Sequence, residues 1–227
     1  RTAMIHCMGM EYTGLGGLFA SVLDVLGLAE LGVGSAMVFS MYKPIAEDDT
    51  EKICALMRLY KIYYRIIGIV ILVIGLAVTP FIEHLISGTC PAGINVYVLF
   101  LMNLSATVLS YWMFAYRSCL LQAYQKAYIG SKIELKMNVM FSLLQLISLL
   151  LLGDYYIYMI INIIRQICTN INKAIITKKM YPLCDPKGKL DKKEERVIRR
   201  RIKDLFTSKL GSTITYSADT IIISSFL

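Results

Sequence analysis

Histidine is scarce in this sequence: only His6 and His84 occur among 227 residues, and they stand far apart. The six cysteines are scattered without a C-x-x-C pair, so neither a zinc-ligand spacing nor a disulfide framework follows from them. No Ser-His-Asp set, no carboxylate pair with catalytic spacing and no phosphate-cradling glycine loop is present. These absences predict a protein that is not an enzyme and that holds no metal or other cofactor.

Charge is also sparse, and its absence is concentrated in long runs. Charged residues make up 18% of the chain and hydrophobic residues 56%, with a mean hydropathy of +0.59. Residues 66–82 and 94–116 carry no charged side chain over 17 and 23 residues. About 20 apolar residues in a helix cross the hydrocarbon core of a bilayer. The sequence therefore predicts an all-α, polytopic transmembrane helical bundle.

The chain divides into segments at its polar and proline-containing stretches. Residues 1–206 form one predicted N-terminal transmembrane bundle, with an amphipathic helix over about 191–206 that lies on the cytoplasmic membrane surface. Residues 207–227 are the predicted start of a further transmembrane helix, and we expect the chain to be part of a longer protein. The bundle contains the tail of a first helix and five complete spans, predicted at 14–42, 62–86, 94–116, 129–152 and 155–176.

The net charge of +8 is a topology signal. Apart from Arg1, all lysines and arginines fall in three alternating regions, 43–65, 117–136 and 165–209, whereas the loops at 83–95 and 153–154 have none. Cytoplasmic loops carry such an excess of basic residues, so the three regions are predicted to face the cytoplasm. The strongly basic connection at residues 178–203 lacks interleaved aromatic residues, and we therefore expect no nucleic-acid partner.

The segment 11–44 combines an apolar helix with two acids. Asp24 and Glu30 lie among small residues, and Gly27 and Gly34 share their helical face because steps of three or four residues stay on one side. Acids inside a membrane are costly and face protein or a water-filled cavity. The pattern predicts close helix packing beside a polar lumen. Aromatic clusters at the ends of other spans, including residues 60–64, 111–116 and 155–158, are interpreted as interfacial belts.

Several stretches resemble one transporter family. The segment TGLGGLFASVLDVLGLAELGVGSAMVFSMYKPIAEDD is similar to the second helix and following loop of Wzx-like polysaccharide flippases, which belong to the multidrug/oligosaccharidyl-lipid/polysaccharide exporter superfamily. The opening RTAMIHCMGMEY resembles the end of the family's first helix. AYRSCLLQAYQKAYI resembles its loop between helices four and five, and SKLGSTITYSADTIIIS the start of its seventh helix. The resemblance covers the whole chain in order.

The resemblance implies one half of a two-bundle alternating-access transporter in the bacterial plasma membrane, where it is a multi-pass protein. Its implied substrate is an undecaprenyl-pyrophosphate-linked oligosaccharide, moved across the membrane for exopolysaccharide or capsule biosynthesis. The implied partners are this lipid-linked oligosaccharide, membrane lipids, and the glycan polymerase or glycosyltransferases of the same pathway.

The substrate diphosphate is anionic, and the planar fork of arginine suits it because the guanidinium can donate two hydrogen bonds at once. Arg165, in the middle of a predicted span, is the first substrate-binding candidate, followed by Arg1 and Asp219. An alternative is that Arg165 only pairs with Asp219 or Asp24 to hold helices together. Asp24 and Glu30 are predicted to bind a coupling Na⁺ or H⁺ or to balance charge, with a helix-packing contact as the alternative.

Two other functions remain open. A drug/cation antiporter of the same superfamily would favour acids over arginines in its cavity. A membrane-bound glycan polymerase or acyltransferase would need a sizeable outer loop or intramembrane histidine chemistry, which this sequence does not offer.

Overall fold

The protein is all-helical in the part of the chain that the computed structural model describes, as the sequence predicts. Backbone is described for residues 2–27, 30, 32–86 and 94–226, and side chains for residues 4–27, 30, 32–84, 86 and 94–211. The α-helices, in chain order, are α1 (Thr2–Met8), α2 (Met10–Gly27), α3 (Val33–Ala46), α4 (Thr50–Val78), α5 (Val96–Trp112), α6 (Ser118–Ala123), α7 (Ala127–Leu151), α8 (Tyr155–Met180) and α9 (Lys192–Phe226). Short 3₁₀ helices follow α4 at Thr79–Leu85 and precede α6 at Ala115–Arg117.

Two helical stretches in the described residues are long and apolar enough to cross a membrane. They are Thr50–His84, where α4 continues into a 3₁₀ turn, and Ala127–Leu151, which is α7. A third is present if Val96–Trp112 and Ala115–Ala123, which meet at 46°, count as one bent span. Large apolar side chains cover their outer faces, including Val73 at 60% exposure and Leu150 at 67%. Such faces suit contact with lipid.

The predicted span 14–42 is two helices, so the prediction of one continuous helix is wrong. α2 ends at Gly27 and α3 begins at Val33, with Glu30 and Gly32 between them. Gly32 has a φ of 92°, a left-handed conformation that glycine adopts without steric cost. The predicted end at residue 42 is also too early, because α3 continues through Pro44 to Ala46.

The tight turn predicted at residues 153–154 is present between α7 and α8. Gly153 has a φ of 60°, and the carboxylate of Asp154 accepts a hydrogen bond from the backbone N–H of Tyr156 at 2.7 Å. This side chain caps the first turn of α8, whose amide groups have no partner inside the helix. α8 pairs with α7 around a small apolar cluster that includes Met137 and Ile161. Unlike α7, it is not among the candidate spans, since polar side chains interrupt its apolar run.

The main core lies between α2, α3, α4, α5 and α6. Phe19 of α2 meets Phe100 of α5 edge to face, with ring centroids 5.7 Å apart, and both side chains are fully buried. α4 and α5 pack closely at two glycines of α4, where a Cβ on Gly68 would overlap Trp112 and a Cβ on Gly75 would overlap Leu104. Small residues let two helix backbones approach, which is a common device between membrane helices.

α9 differs from the prediction for residues 191–206. It begins at Lys192, next to the predicted start at residue 191, but it continues to Phe226 without a boundary near residue 206. Ile198 is 5% exposed, and Ile202 packs against the main core. The apolar face of this segment therefore contacts protein, which corrects the interpretation that it lies on the membrane surface.

Candidate functional site

Glu30 lies in the break between α2 and α3 and is the centre of a polar cluster. One carboxylate oxygen accepts a hydrogen bond from the hydroxyl of Tyr64, and the other accepts one from the hydroxyl of Tyr111 at 2.7 Å. Tyr60 extends this series of hydrogen bonds, because its hydroxyl donates to the hydroxyl of Tyr64 at 2.7 Å. Both carboxylate oxygens of Glu30 are therefore held by hydroxyl groups from other helices, Tyr64 from α4 and Tyr111 from α5.

The three tyrosines face inward, which corrects the prediction that they belong to interfacial belts. Tyr60 and Tyr64 are 4% and 7% exposed, and their rings meet edge to face with centroids 4.4 Å apart. Tyr111 reaches the same place from α5, 5.5 Å from the Tyr64 ring. Their spacing at the ends of spans resembles that of a belt, so the sequence carries no signal that separates the two arrangements.

A cavity of about 250 Å³ opens beside the Glu30 carboxylate. Its walls come from α2, α3, α4, α6 and α9, and the glycines among them leave space for a ligand or for water. Lys209 of α9 is the cationic residue in this lining. The complete lining is Gly27, Glu30, Gly32, Gly34, Ser35, Tyr60, Tyr64, Gln122 and Lys209.

The other predicted acid of this segment, Asp24, does not line the cavity. Its residue is exposed on α2, one turn before the helix ends at Gly27. Glu30 is therefore the acid of this segment that the fold places in a polar enclosure.

Arg165 lies at the α7–α8 interface and binds two amide side chains. Its Nε and Nη2 donate to the carbonyl oxygen of Asn162 at 3.2 and 2.8 Å, and its Nη1 donates to that of Asn138 on α7. Among the residues with described side chains, no carboxylate lies within ion-pair distance of this guanidinium. The pairing with Asp24 that was an alternative is therefore absent. Arg1 lies outside the described residues, as does the side chain of Asp219, so the pairing with Asp219 remains a prediction.

A second charged contact joins the same two helices. The ammonium of Lys173 on α8 binds the carboxylate of Glu134 on α7. Eight residues separate Lys173 from Arg165, so both side chains lie on the side of α8 that faces α7. This ion pair neutralises Lys173, whereas the partners of Arg165 are uncharged. The two helices thus enclose one paired cation and one cation held by neutral groups.

Arg165 and Glu30 belong to separate clusters. Their partners differ: Glu30 binds Tyr64 and Tyr111, whereas Arg165 binds Asn138 and Asn162. The structure thus contains two candidate polar sites: the cavity beside Glu30 in the core, and the position of Arg165 between α7 and α8.

The sequence reasoning also missed a buried ion pair at the connection after α8. Arg117 is 7% exposed, and its Nη2 lies 3.2 Å from Oδ1 of Asp185. Nearby, the thiol of Cys54 donates to the carbonyl of Leu183 at 3.3 Å. Burial raises the pKa of the Cys184 thiol above its ordinary value. These contacts hold the connection between α8 and α9 against α4 and the 3₁₀ helix that precedes α6.

Metal binding receives no support from side-chain clusters. Within the described residues, no group of three or more histidine, cysteine, aspartate or glutamate side chains is placed to hold a metal ion.

No protein-family model matches the chain, no curated protein matches it, and no solved structure matches it. The fold by itself defines the class: in its described residues the protein is all-helical, with two or three helical stretches long and apolar enough to span a membrane. A more specific assignment of function depends on the chemistry of the two polar sites, those of Glu30 and Arg165.

Proposed function

We propose that this chain is the N-terminal half of a polytopic flippase that moves a lipid-linked oligosaccharide across the bacterial plasma membrane. The proposal is supported by the candidate spans, by the positive-inside distribution of lysine and arginine, and by the stretches that resemble Wzx-like flippases. Its substrate class is an undecaprenyl-pyrophosphate-linked glycan, and its membrane partners are lipids and the enzymes that build or polymerise the glycan.

The observation that carries this proposal is the environment of Arg165. Neutral amide oxygens orient the guanidinium without cancelling its charge, so its electrostatic attraction for an anion is retained. A diphosphate offers several oxygens with the geometry for two parallel hydrogen bonds from one arginine. Arg165 is thus suited to capture the diphosphate, while Asn138 and Asn162 fix its position.

The transport cycle in this proposal is alternating access. The substrate diphosphate binds at Arg165, and binding of Na⁺ or H⁺ at Glu30 biases the equilibrium between the inward-open and outward-open states. Such an ion acts only if it binds the two states with different affinity. The break between α2 and α3 at Glu30 is a position where the chain can change direction. Glu30 is therefore a better candidate than Asp24 for binding the coupling ion.

One observation favours a second function, a cation antiporter of the same superfamily. Glu30 lies in a cavity of about 250 Å³ with three aromatic rings close by, and carboxylates with aromatic faces suit an organic cation. In this alternative Glu30 binds the transported cation and Arg165 only supports the contact between α7 and α8.

Equilibrium binding to the chain in detergent micelles separates the two functions. The anionic probe is farnesyl diphosphate with farnesol as its uncharged control, and the cationic probe is tetraphenylphosphonium. In the flippase proposal, Arg165→Gln weakens farnesyl diphosphate binding by roughly tenfold or more, because hydrogen bonds to charged groups contribute about 1.5–3 kcal/mol.

The matched control is Arg65→Gln, which removes an exposed arginine from α4. Equal binding of farnesyl diphosphate by the Arg165 and Arg65 variants would contradict the role of Arg165. Binding of tetraphenylphosphonium that is lost in Glu30→Gln, together with no binding of the diphosphate, would support the antiporter instead.

A further inference from the structure

One face of α9 is directed at the break between α2 and α3. Ile202, Leu205, Phe206 and Lys209 recur at helical spacing, so they share this face. The contact is close: a Cβ built on Gly32 would lie 2.7 Å from the backbone nitrogen of Phe206 and 3.0 Å from the carbonyl oxygen of Ile202. Only a glycine lets the α9 backbone approach the break this closely.

A second set of contacts holds α9 one to two turns earlier. Nη1 of Arg201 donates to the hydroxyl of Ser40 on α3 at 2.9 Å, and the same guanidinium lies over the ring of Phe39 at 4.5 Å. Ile198 is buried against the core on the same side. α9 is therefore docked on α3 along its length from Ile198 to Lys209.

This docking places a basic residue of α9 in the lining of the cavity that contains the Glu30 carboxylate. Lys209 follows Phe206 by three residues and lines the cavity that also contains Glu30. The hydrogen-bond donors of Tyr64 and Tyr111 orient the Glu30 carboxylate but contribute no positive charge. Because Lys209 is exposed, solvent partly screens its attraction to this carboxylate.

We propose that α9 is a movable wall of the Glu30 cavity and that the attraction between Glu30 and Lys209 holds it closed. When α9 leaves α3, Lys209 leaves the cavity with it, and Glu30 becomes accessible to an external cation. Departure of α9 also removes its backbone from Gly32, which frees the break between α2 and α3 to change direction. The inference concerns opening of the cavity and does not depend on which substrate the protein transports.

Amide hydrogen exchange across α9, measured on the whole chain in micelles, tests the proposal as a double-mutant cycle. The variants are Glu30→Gln, Lys209→Met and the combination of both. Each single variant is expected to accelerate exchange at residues 198–209 by about two- to fivefold, because the exposed Lys209 is partly screened by solvent. The double variant is expected to exchange no faster than either single variant, since both remove the same interaction.

Two further variants separate charge from packing. Lys203→Met removes an exposed lysine of α9 that does not line the cavity, and it is expected to exchange like the original chain. Lys209→Arg keeps the positive charge and is expected to do the same. The effect of Lys209→Met should also shrink at 1 M salt, where the Debye length falls to about 3 Å.

The proposal is overturned if Lys209→Met leaves exchange of α9 unchanged, or if the effects of Glu30→Gln and Lys209→Met simply add. It is also overturned if Lys203→Met accelerates exchange as much as Lys209→Met. Helix content measured by circular dichroism accompanies each variant. A variant that loses global helicity is replaced in the cycle by Glu30→Asn or Lys209→Gln, which also remove the charge and for which the same criteria apply.

Discussion

Replacing Gly32 by alanine should loosen the docking of α9 and lower the stability of the whole bundle. The substitution has two separate costs. An alanine at a φ of 92° is strained by about 1–2 kcal/mol, as expected for a left-handed residue that carries a Cβ. The new Cβ would also lie 2.7 Å from the nitrogen of Phe206, and overpacking of this kind costs about 1–3 kcal/mol.

The second cost can be avoided only if α9 moves away, because the atom that Gly32→Ala meets is backbone and cannot rotate aside. The total is about 2–5 kcal/mol if α9 stays in place, and about 1–2 kcal/mol with faster exchange of α9 amides if it undocks. At roughly 2–4 °C per kcal/mol for a chain of this size, the melting temperature falls by about 4–20 °C if α9 stays in place. Thermal unfolding followed by circular dichroism, combined with hydrogen exchange of α9, measures both terms.

Gly17→Ala is the matched control because Gly17 lies within α2 and a Cβ there meets nothing within 4 Å. Alanine in a helix interior is expected to stabilise the chain by about 0.5–1 kcal/mol relative to glycine. If Gly32→Ala and Gly17→Ala shift the melting temperature in the same direction, the close approach of α9 to the break is refuted.

Two further predictions concern the connection between α8 and α9. Asp185→Asn leaves the buried charge of Arg117 without its counter-ion and should lower the free energy of unfolding by about 2–4 kcal/mol. This is towards the low end for buried pairs because the Asp185 side chain is 31% exposed. Adding Arg117→Met should recover part of the loss, and no recovery would contradict a charge-based cost. Cys184 should react with iodoacetamide at pH 8 at least about tenfold more slowly than the exposed Cys7, because burial blocks access and raises the pKa of the Cys184 thiol, which lowers its thiolate fraction. Mass spectrometry of a labelling time course measures this ratio, and equal rates would show that Cys184 is open to solvent.

Local signals predicted several elements correctly. The uncharged run at 66–82 lies in a helix that is long and apolar enough to cross a membrane, and the run at 94–116 lies in the bent pair that can form a third. The turn at residues 153–154 follows from a side chain that acts within two residues of itself, since Asp154 caps the start of α8. α9 begins at Lys192, next to the predicted start at residue 191. Such features depend on near neighbours, which the sequence shows directly.

The same local reasoning failed where tertiary packing competes with periodicity. Residues 14–42 have the composition of one helix, but the backbone of α9 occupies the space beside Gly32 and the chain breaks there. Residues 191–206 have the amphipathic pattern of a surface helix, and pattern alone does not say whether the apolar side meets lipid or protein. In the fold it meets α3 and the main core.

The sequence by itself determined the helical class, the candidate membrane-spanning stretches and the distribution of positive charge. It also identified Glu30 and Arg165 as polar residues that need an explanation. Only the tertiary structure decided their partners, because these lie far along the chain: Tyr64 and Tyr111 are 34 and 81 residues from Glu30, and Asn138 is 27 residues from Arg165. The choice among many tyrosines and asparagines depends on which helices pack together, and that depends on the shape of the whole core rather than on any local pattern.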